Sequence, residues 1–303
     1  MNILITGVSG LVGQEIVKQL LEDVSINITG IVHKERIEGI KTFQADVQDY
    51  DALESIFKEE KYDVVLHMAA ISDYLSSTDK KYETFKVNMH GTMNVLELFN
   101  KYCRNALFIF TSSCKVYGST DEMPISEKAK ANPLTVVGKS KFIAERIVQF
   151  YVEDQNKYLI VRPFNIYGSK QKENFLMPTL IKQLKESCIL QLGNVYDKRD
   201  YIYVKDVAAA IVACIKNQQK LEHYECLNIG SEQANSVEDI LKIMEDLLGK
   251  KIVVQVDQSK LRSDETSIEC ADCTRIKDIT GWRPQYTLEG AIKEIFRLEQ
   301  LIK

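Results

Sequence analysis

The stretch MNILITGVSGLVG (1–13) decides the fold. Residues 2–6 are a short, continuously apolar run, the pattern of a strand buried on both faces. Gly7, Gly10 and Gly13 follow at GxxGxxG spacing, and EIVKQLLED (15–23) continues at helical period. A strand, a glycine turn and a helix in that order form a phosphate cradle. The first glycine makes the tight turn, the second lets the backbone approach a pyrophosphate, and the third lets helix pack on strand. The helix N-terminus, starting near Leu11 and Val12, presents open N–H groups and a partial positive charge. A glycine triplet alone is also compatible with a plain structural turn. Here a strand precedes it and four more strand–helix steps follow.

Those steps are INITGIVH (26–33), DALESIFKEE (51–60), DVVLHMAA (63–70), KKYETFKVNMHGTMNVLELFNKYC (80–103), ALFIFTSS (106–113), a helix within 132–151 and KYLIVRP (157–163). Strands alternating with helices, without tandem hairpins, predict a parallel sheet covered on both faces. After Pro163 the rhythm changes. Helical segments are expected near 175–186, 205–217, 236–248 and 287–302, with short strands near 189–192, 201–204, 224–229 and 252–256. The predicted architecture is a doubly wound, Rossmann-type α/β fold with a smaller mixed α/β lobe. Residues 1–165 form the dinucleotide-binding part, which also receives about 201–230. Residues 166–200 and 231–303 form the substrate lobe.

The chain has 303 residues, a formal charge of −4, 45% hydrophobic and 27% charged residues. That composition describes a globular protein with a sizeable core and gives no electrostatic reason to expect nucleic acid or an anionic membrane. No apolar run approaches the ~20 residues of a membrane span, and the start lacks signal-peptide character, so the cytoplasm is the default expectation. Seven cysteines are scattered. Cys270-Ala-Asp-Cys273 has the spacing of half a zinc site without a second pair, so no metal is expected.

An NAD site usually has Asp or Glu at the end of the second strand to hold the ribose hydroxyls. This chain has His33 there, then Lys34, Glu35 and Arg36. The basic residues would attract a 2′-phosphate, which favours NADP over NAD as cofactor, with a solvated basic loop as the plain alternative. Asp46 could accept from the adenine amino group or cap the following helix.

Taken together, GVSGLVG, VLHMAA, NMHGT, FTSSCKVYG, GKSK, RPFNIYG, RDYIYVKDVAAAI, LNIGS and TGWRP resemble the extended short-chain dehydrogenase/reductases, of the NAD-dependent epimerase/dehydratase type that modifies nucleotide sugars. The match runs in order over essentially the whole chain. It implies that Ser113, four residues before Tyr117, bonds the sugar oxygen at the reacting carbon. It implies that Lys141 holds the nicotinamide ribose, and that Val47, Met68, Ala69, Ala70 and Pro163 line the cofactor. Asn88 resembles the helix asparagine behind the site. Asn165, Arg199 and Arg262 fall where the family grips the substrate's pyrophosphate and nucleoside, a task that suits arginine's planar fork. They are grouped with Ser113, Cys114 and Asn88 as substrate-binding candidates.

Two departures matter. The 4,6-dehydratases carry acidic residues just after the Ser/Thr, where this chain has Cys114 and Lys115. Hydride transfer at a ring carbon, by 4-keto reduction or epimerisation, is therefore favoured over 4,6-dehydration. The SKLRSDETS segment and the GW-P tail look closest to enzymes acting on GDP-6-deoxy-hexoses, including 4-keto reductases. The expected substrate is a nucleoside-diphosphate hexose or heptose, for surface polysaccharide.

The second departure is Val137. The family pattern Tyr-x-x-x-Lys reads Val137-Gly138-Lys139-Ser140-Lys141 here, and valine cannot exchange a proton. General acid–base catalysis is worth typically ~10²–10⁴-fold. Three readings stay open. A tyrosine was replaced to trap bound substrate, another residue serves (Tyr74, Tyr82, Cys114 or Lys115), or the protein is a catalytically silent dinucleotide-binding protein with a regulatory or structural role.

Tyr117 and Trp282 read as packing residues, Tyr201 and Tyr203 as strand residues, and Asp206 as the cap of the helix after them. The helix at 140–152 has an apolar stripe of Phe142, Ile143, Ile147, Phe150 and Tyr151. Such a stripe is usually core. In the family this helix pairs with its copy in a four-helix bundle, which predicts a homodimer.

Overall fold

A computed structural model describes residues 1–33, 37–261 and 267–303. The chain begins with β1 (Asn2–Thr6), α1 (Leu11–Leu20), β2 (Asn27–Val32), β3 (Lys41–Gln44), α2 (Tyr50–Glu59) and β4 (Val64–His67). A helical tract follows, made of α3 (Tyr74–Asp79), α4 (Lys81–Phe85), a π-helical turn (Lys86–His90) and α5 (Gly91–Tyr102). Next come β5 (Leu107–Thr111), a 3₁₀ turn (Cys114–Val116), α6 (Val136–Phe150), β6 (Lys157–Pro163) and β7 (Asn165–Tyr167). The remainder is α7 (Leu176–Glu186), β8 (Ile189–Leu192), β9 (Arg199–Tyr203), α8 (Val204–Lys216), β10 (Tyr224–Ile229), β11 (Ala234–Asn235), α9 (Val237–Leu248), β12 (Val253–Val256), α10 (Thr274–Thr280) and α11 (Leu288–Leu298).

Among the described residues the main sheet has seven strands in the order β10-β6-β5-β4-β1-β2-β3, paired parallel throughout. The two-residue period of each strand feeds two cores. Ile3, Ile5, Leu107, Ile109, Leu159 and Val161 face the core shared with α1 and α8. Leu4, Phe108, Phe110, Tyr158 and Ile160 face the core shared with α2, α5 and α6. The apolar runs are unbroken because both faces are dry, so the α/β reading from the sequence is met. The chain leaves the sheet after β6 and returns to it at β10, beside β6. The intervening and following segments build a third core from α7, α9 and α11 with β8.

Two local expectations are corrected. Asp46 does not cap α2. Its Oδ1 accepts from the Gln48 N–H at 2.9 Å, and Asp49 is the cap, accepting from Ala52 N–H at 3.1 Å. Asp206 does not cap α8, which starts at Val204. Its carboxylate instead accepts from the backbone N–H groups of Gln285 and Tyr286 at 2.8 and 3.1 Å, pinning the approach to α11. The α6 stripe is divided, with Phe142, Ile147 and Tyr151 half-buried against the two cores. The face that is buried carries Val137, Ser140, Lys141, Ala144, Glu145 and Val148, and Phe150 is 86% exposed.

Candidate active site

A cleft of about 1780 Å³ runs along the carboxyl edge of the sheet. At one end lies the glycine turn. Gly7 has φ +69°, and a Cβ there would sit 2.7 Å from the Ala69 backbone nitrogen. A Cβ on Gly13 would come within 2.5 Å of the Val8 carbonyl oxygen, so both positions require glycine. Gly10 caps α1 without any side-chain hydrogen bond, which leaves the first N–H groups of α1 directed to the cleft. This cradle fits a pyrophosphate.

A run of buried hydrogen bonds leads from this turn to α6. Thr6 Oγ1 accepts from Ala69 N–H at 3.1 Å, so it donates to His67 Nδ1, 2.7 Å away. The His67 proton then sits on Nε2 and is given to Thr92 Oγ1 at 3.0 Å. Thr92 donates onward to the Asn88 carbonyl at 2.7 Å. The π-helical turn swings Asn88 inward, where its amide bonds both backbone groups of Ile71 and Ser140 Oγ at 2.9 Å. Ser140 in turn donates to the Val137 carbonyl at 2.9 Å.

Lys141 is 4% exposed. Its Nζ donates to the Thr111 carbonyl at 2.6 Å and lies 4.7 Å from the centre of the Phe110 ring. Burial pulls its pKa down to about 8, against an opposing pull from Glu145. Glu145, one turn on, accepts from Ser112 Oγ at 2.5 Å and pairs with Arg162 at 2.6 and 2.9 Å. Arg162 reaches Tyr117, whose hydroxyl donates to Asn228 at 2.6 Å. Tyr117 is thus a buried strut with its pKa pushed up by burial, in line with a packing role.

Ser113 caps the 3₁₀ turn, its Oγ accepting from Lys115 N–H at 3.2 Å. The start of α6 packs directly on this turn, since a Cβ on Gly138 would fall 2.3 Å from the Lys115 carbonyl oxygen. Ser113, Cys114, Lys115, Val137 and Lys141 therefore share one wall of the cleft. Val137 is 6% exposed.

Towards the other lobe, Lys115 Nζ donates to both oxygens of Glu269 at 2.9 Å. Asn165 Nδ2 donates to the same carboxylate at 3.2 Å, and Arg199 Nε stands 3.7 Å from it. Arg199 also reaches Asp197 at 3.3 Å. Burial works against the Glu269 charge, yet Lys115 and Arg199 hold its pKa below the ordinary value.

The structure brings most of the sequence candidates together. Gly7, Gly10, Leu11, Val12, Gly13 and His33 line the cleft, as do Asp46, Val47, Met68, Ala69, Ala70 and Pro163, and Asn165 and Arg199 line it further along. Asn88 is set back behind the wall, 1% exposed, with its amide bonded to Ile71 and Ser140. Lys34, Arg36 and Arg262 lie outside the described residues. Of the substitute proton carriers, Tyr82 stands 81% exposed away from the cleft, while Tyr74, Cys114 and Lys115 line it. Burial pushes the Cys114 thiol up to about 12. Sequence reasoning missed Glu269, which lies 154 residues from Lys115 and has no local motif. Among the described residues no group of His, Cys, Asp and Glu could hold a metal ion, and no helix is long and apolar enough to cross a membrane.

The sequence profile of the NAD dependent epimerase/dehydratase family matches residues 3–230. A Methanocaldococcus jannaschii protein, provisionally named a UDP-glucose 4-epimerase, is 30% identical over 97% of this chain and 96% of its own length. GDP-6-deoxy-D-mannose reductase of Pseudomonas aeruginosa is 25% identical over 82% of this chain and 84% of its own. The crystal structure of UDP-glucuronic acid 4-epimerase from Bacillus cereus, in complex with UDP-glucuronic acid and NAD, superposes with a TM-score of 0.88 at 25% identity, covering 100% of both chains. With a glycine cradle, a buried lysine and a full-length match in both sequence and fold, this chain belongs to the NAD dependent epimerase/dehydratase family.

Proposed function

We propose that the protein is an NAD(P)-dependent enzyme that moves hydride at a ring carbon of a nucleoside-diphosphate sugar, by 4-keto reduction or epimerisation in preference to 4,6-dehydration. The observation that carries this reading is the meeting of these groups in one cleft. The phosphate cradle, Ser113, Lys141, Asn165 and Arg199 all line it, and Glu269 ties Lys115 of the Ser113 turn to Asn165 and Arg199. A bound nicotinamide dinucleotide would supply hydride. Gly7, Gly10 and the first N–H groups of α1 hold its pyrophosphate, and Lys141 its ribose. Ser113 bonds the sugar oxygen, and Arg199 takes the sugar nucleotide's phosphates. The absence of a carboxylate at Cys114 and Lys115 supports the preference over dehydration. On this reading residues 1–165 with 201–230 bind the dinucleotide, and 166–200 with 231–303 bind the sugar nucleotide.

Val137 gives specific support to a second reading, a silent nucleotide-binding protein. Incubating the chain and its Val137→Tyr variant with NAD and UDP-glucose, and with NADH or NADPH and UDP- or GDP-4-keto sugars, separates the two. Hydride movement by either protein supports the enzyme. Failure of both on every sugar sinks it.

The preference for NADP is supported by His33, exposed at the end of β2 where a carboxylate would repel a 2′-phosphate. Tighter binding of NADP than NAD, abolished in Lys34→Glu/Arg36→Glu, is the expected result. Equal affinities before and after would refute it. The outward flank of α6, with Phe150 stacked edge-on against Tyr151, supports a homodimer built from this helix and its copy.

A further inference from the structure

Resting on that reading, we infer that Lys115 donates the proton that Val137 cannot, with Glu269 holding its ammonium in place. Lys115 sits two residues from Ser113 on the same 3₁₀ turn, and the start of α6 that carries Val137 is packed on that turn's backbone. The three side chains therefore line one stretch of wall. The pair is asymmetric, with side-chain exposures of 32% for Lys115 and 7% for Glu269. The carboxylate is the buried anchor, and the Lys115 side chain is the partner that lines the cleft. An ammonium has three donors. Glu269 takes two, at 2.9 Å each, and the third serves a sugar oxygen. Burial opposes the Lys115 charge, but the Glu269 carboxylate, by its charge and its hydrogen bonds, raises the pKa, so the group enters the reaction protonated. Of the other candidates Tyr74 also lines the cleft and is included in the test, while two are weaker. Tyr82 is remote from the cleft, and Cys114 is a buried neutral thiol.

In the reducing direction, the carbonyl carbon accepts hydride from the reduced nicotinamide and the C=O π pair moves to oxygen. An N–H bond of Lys115 breaks as the O–H bond forms. The products are an alcohol, oxidised nicotinamide and a neutral amine, which regains a proton from water. The oxidising direction needs Lys115 to start as the neutral amine, and Glu269 opposes that. The site is therefore built to reduce ketones near neutral pH, with oxidation rising only as pH approaches the Lys115 pKa.

The test uses the full chain with UDP-4-keto-6-deoxyglucose and NADH or NADPH between pH 6 and 10, comparing Lys115→Arg, Lys115→Met, Tyr74→Phe and Val137→Tyr. Lys115→Arg keeps a cation against Glu269 but does not release its proton in this range. It is expected to keep calorimetric UDP affinity and melting temperature without cofactor. Its reduction rate should fall by about 10²–10⁴-fold at every pH in this range, where the raised Lys115 pKa keeps the parent's ammonium protonated. Adding Val137→Tyr to Lys115→Arg should restore the rate. In the cofactor-free protein, Glu269→Gln should move the Lys115 ¹³Cε titration to lower pH. A Lys115→Arg rate within threefold of the parent, or the loss appearing in Tyr74→Phe instead, overturns the inference. A silent parent beside an active Val137→Tyr also overturns it and leaves the proposed function standing. If both are silent on every nucleotide sugar, the function itself falls, and the inference with it.

Discussion

At the C-terminal end of β4, His67 is 1% exposed between two hydroxyls and below the Lys141 ammonium. Burial, with a smaller push from Lys141, drops its pKa to about 3 from the ordinary 6.5, so the folded protein holds it neutral. The unfolded chain takes up a proton near pH 6.5 while the native state takes none until near pH 3. Stability is therefore lost as pH falls through that window. The loss is of order 4–5 kcal/mol for a shift of that size. A His67→Gln variant should lose this part of the acid limb. Urea unfolding at pH 7 and pH 4 should show the parent losing several kcal/mol more than the variant between the two. Equal losses would show that His67 is not the group responsible. The strand end at VLHMAA is legible in the sequence, but the role of His67 is not. Its tautomer is set by Thr6 and Thr92, 61 and 25 residues away, and no local pattern encodes such a pairing.

At the scale of elements, α6 carries the argument. Its position after β5 follows from the sequence, and the structure adds its cap, Thr135 Oγ1 accepting from Gly138 N–H at 3.0 Å. Its facing does not follow from an apolar stripe alone, because the buried side mixes Val137, Ala144 and Val148 with Ser140, Lys141 and Glu145. Ser140, Lys141 and Glu145 point inward, and each is satisfied by a residue from another element. An apolar-stripe rule assumes that burial follows hydrophobicity, and at a site it follows hydrogen-bond partners instead. Asp206 makes the same point, since its carboxylate goes to the N–H groups of Gln285 and Tyr286, 79 and 80 residues on. The Glu145–Arg162 pair, 1% and 7% exposed, anchors α6 to β6. Glu145→Ala should cost about 3–5 kcal/mol in denaturant unfolding, because it leaves the guanidinium buried and unpaired. Glu145→Leu/Arg162→Met should cost less than that single change. On the outer flank, Phe150→Glu should convert a dimer to a monomer in sedimentation equilibrium without lowering the melting temperature of the monomer. A parent that is monomeric at tens of micromolar would end the dimer proposal.

Across the whole molecule, the sheet order places the glycine turn after β1 and the Ser113 turn after β5 at one edge, and the lobe brings Asn165, Arg199 and Glu269 over it. The parallel sheet was legible because both of its faces are buried and its strands are uniformly apolar. The lobe was legible only as scattered elements, because the cleft closes through single pairs such as Lys115–Glu269 and Asn174–Asp73, each joining segments about 100 residues or more apart. This layout predicts two separable ligand sites in one cleft. A ligand that binds only the native state at one hundred times its Kd stabilises by about 2.7 kcal/mol. NAD and UDP should therefore each raise the melting temperature, and together raise it further. Gly13→Ala forces a Cβ to within 2.5 Å of the Val8 carbonyl, so it should abolish the NAD shift and spare the UDP shift. Arg199→Ala should do the reverse, since its guanidinium stands with Glu269 and Asp197 and takes no part in the glycine turn. The check is differential scanning fluorimetry of the parent and both variants with each ligand alone and with both. If the ligands compete, or if Arg199→Ala erases the NAD shift, the two-site layout is wrong and the cleft must be assigned to a single ligand.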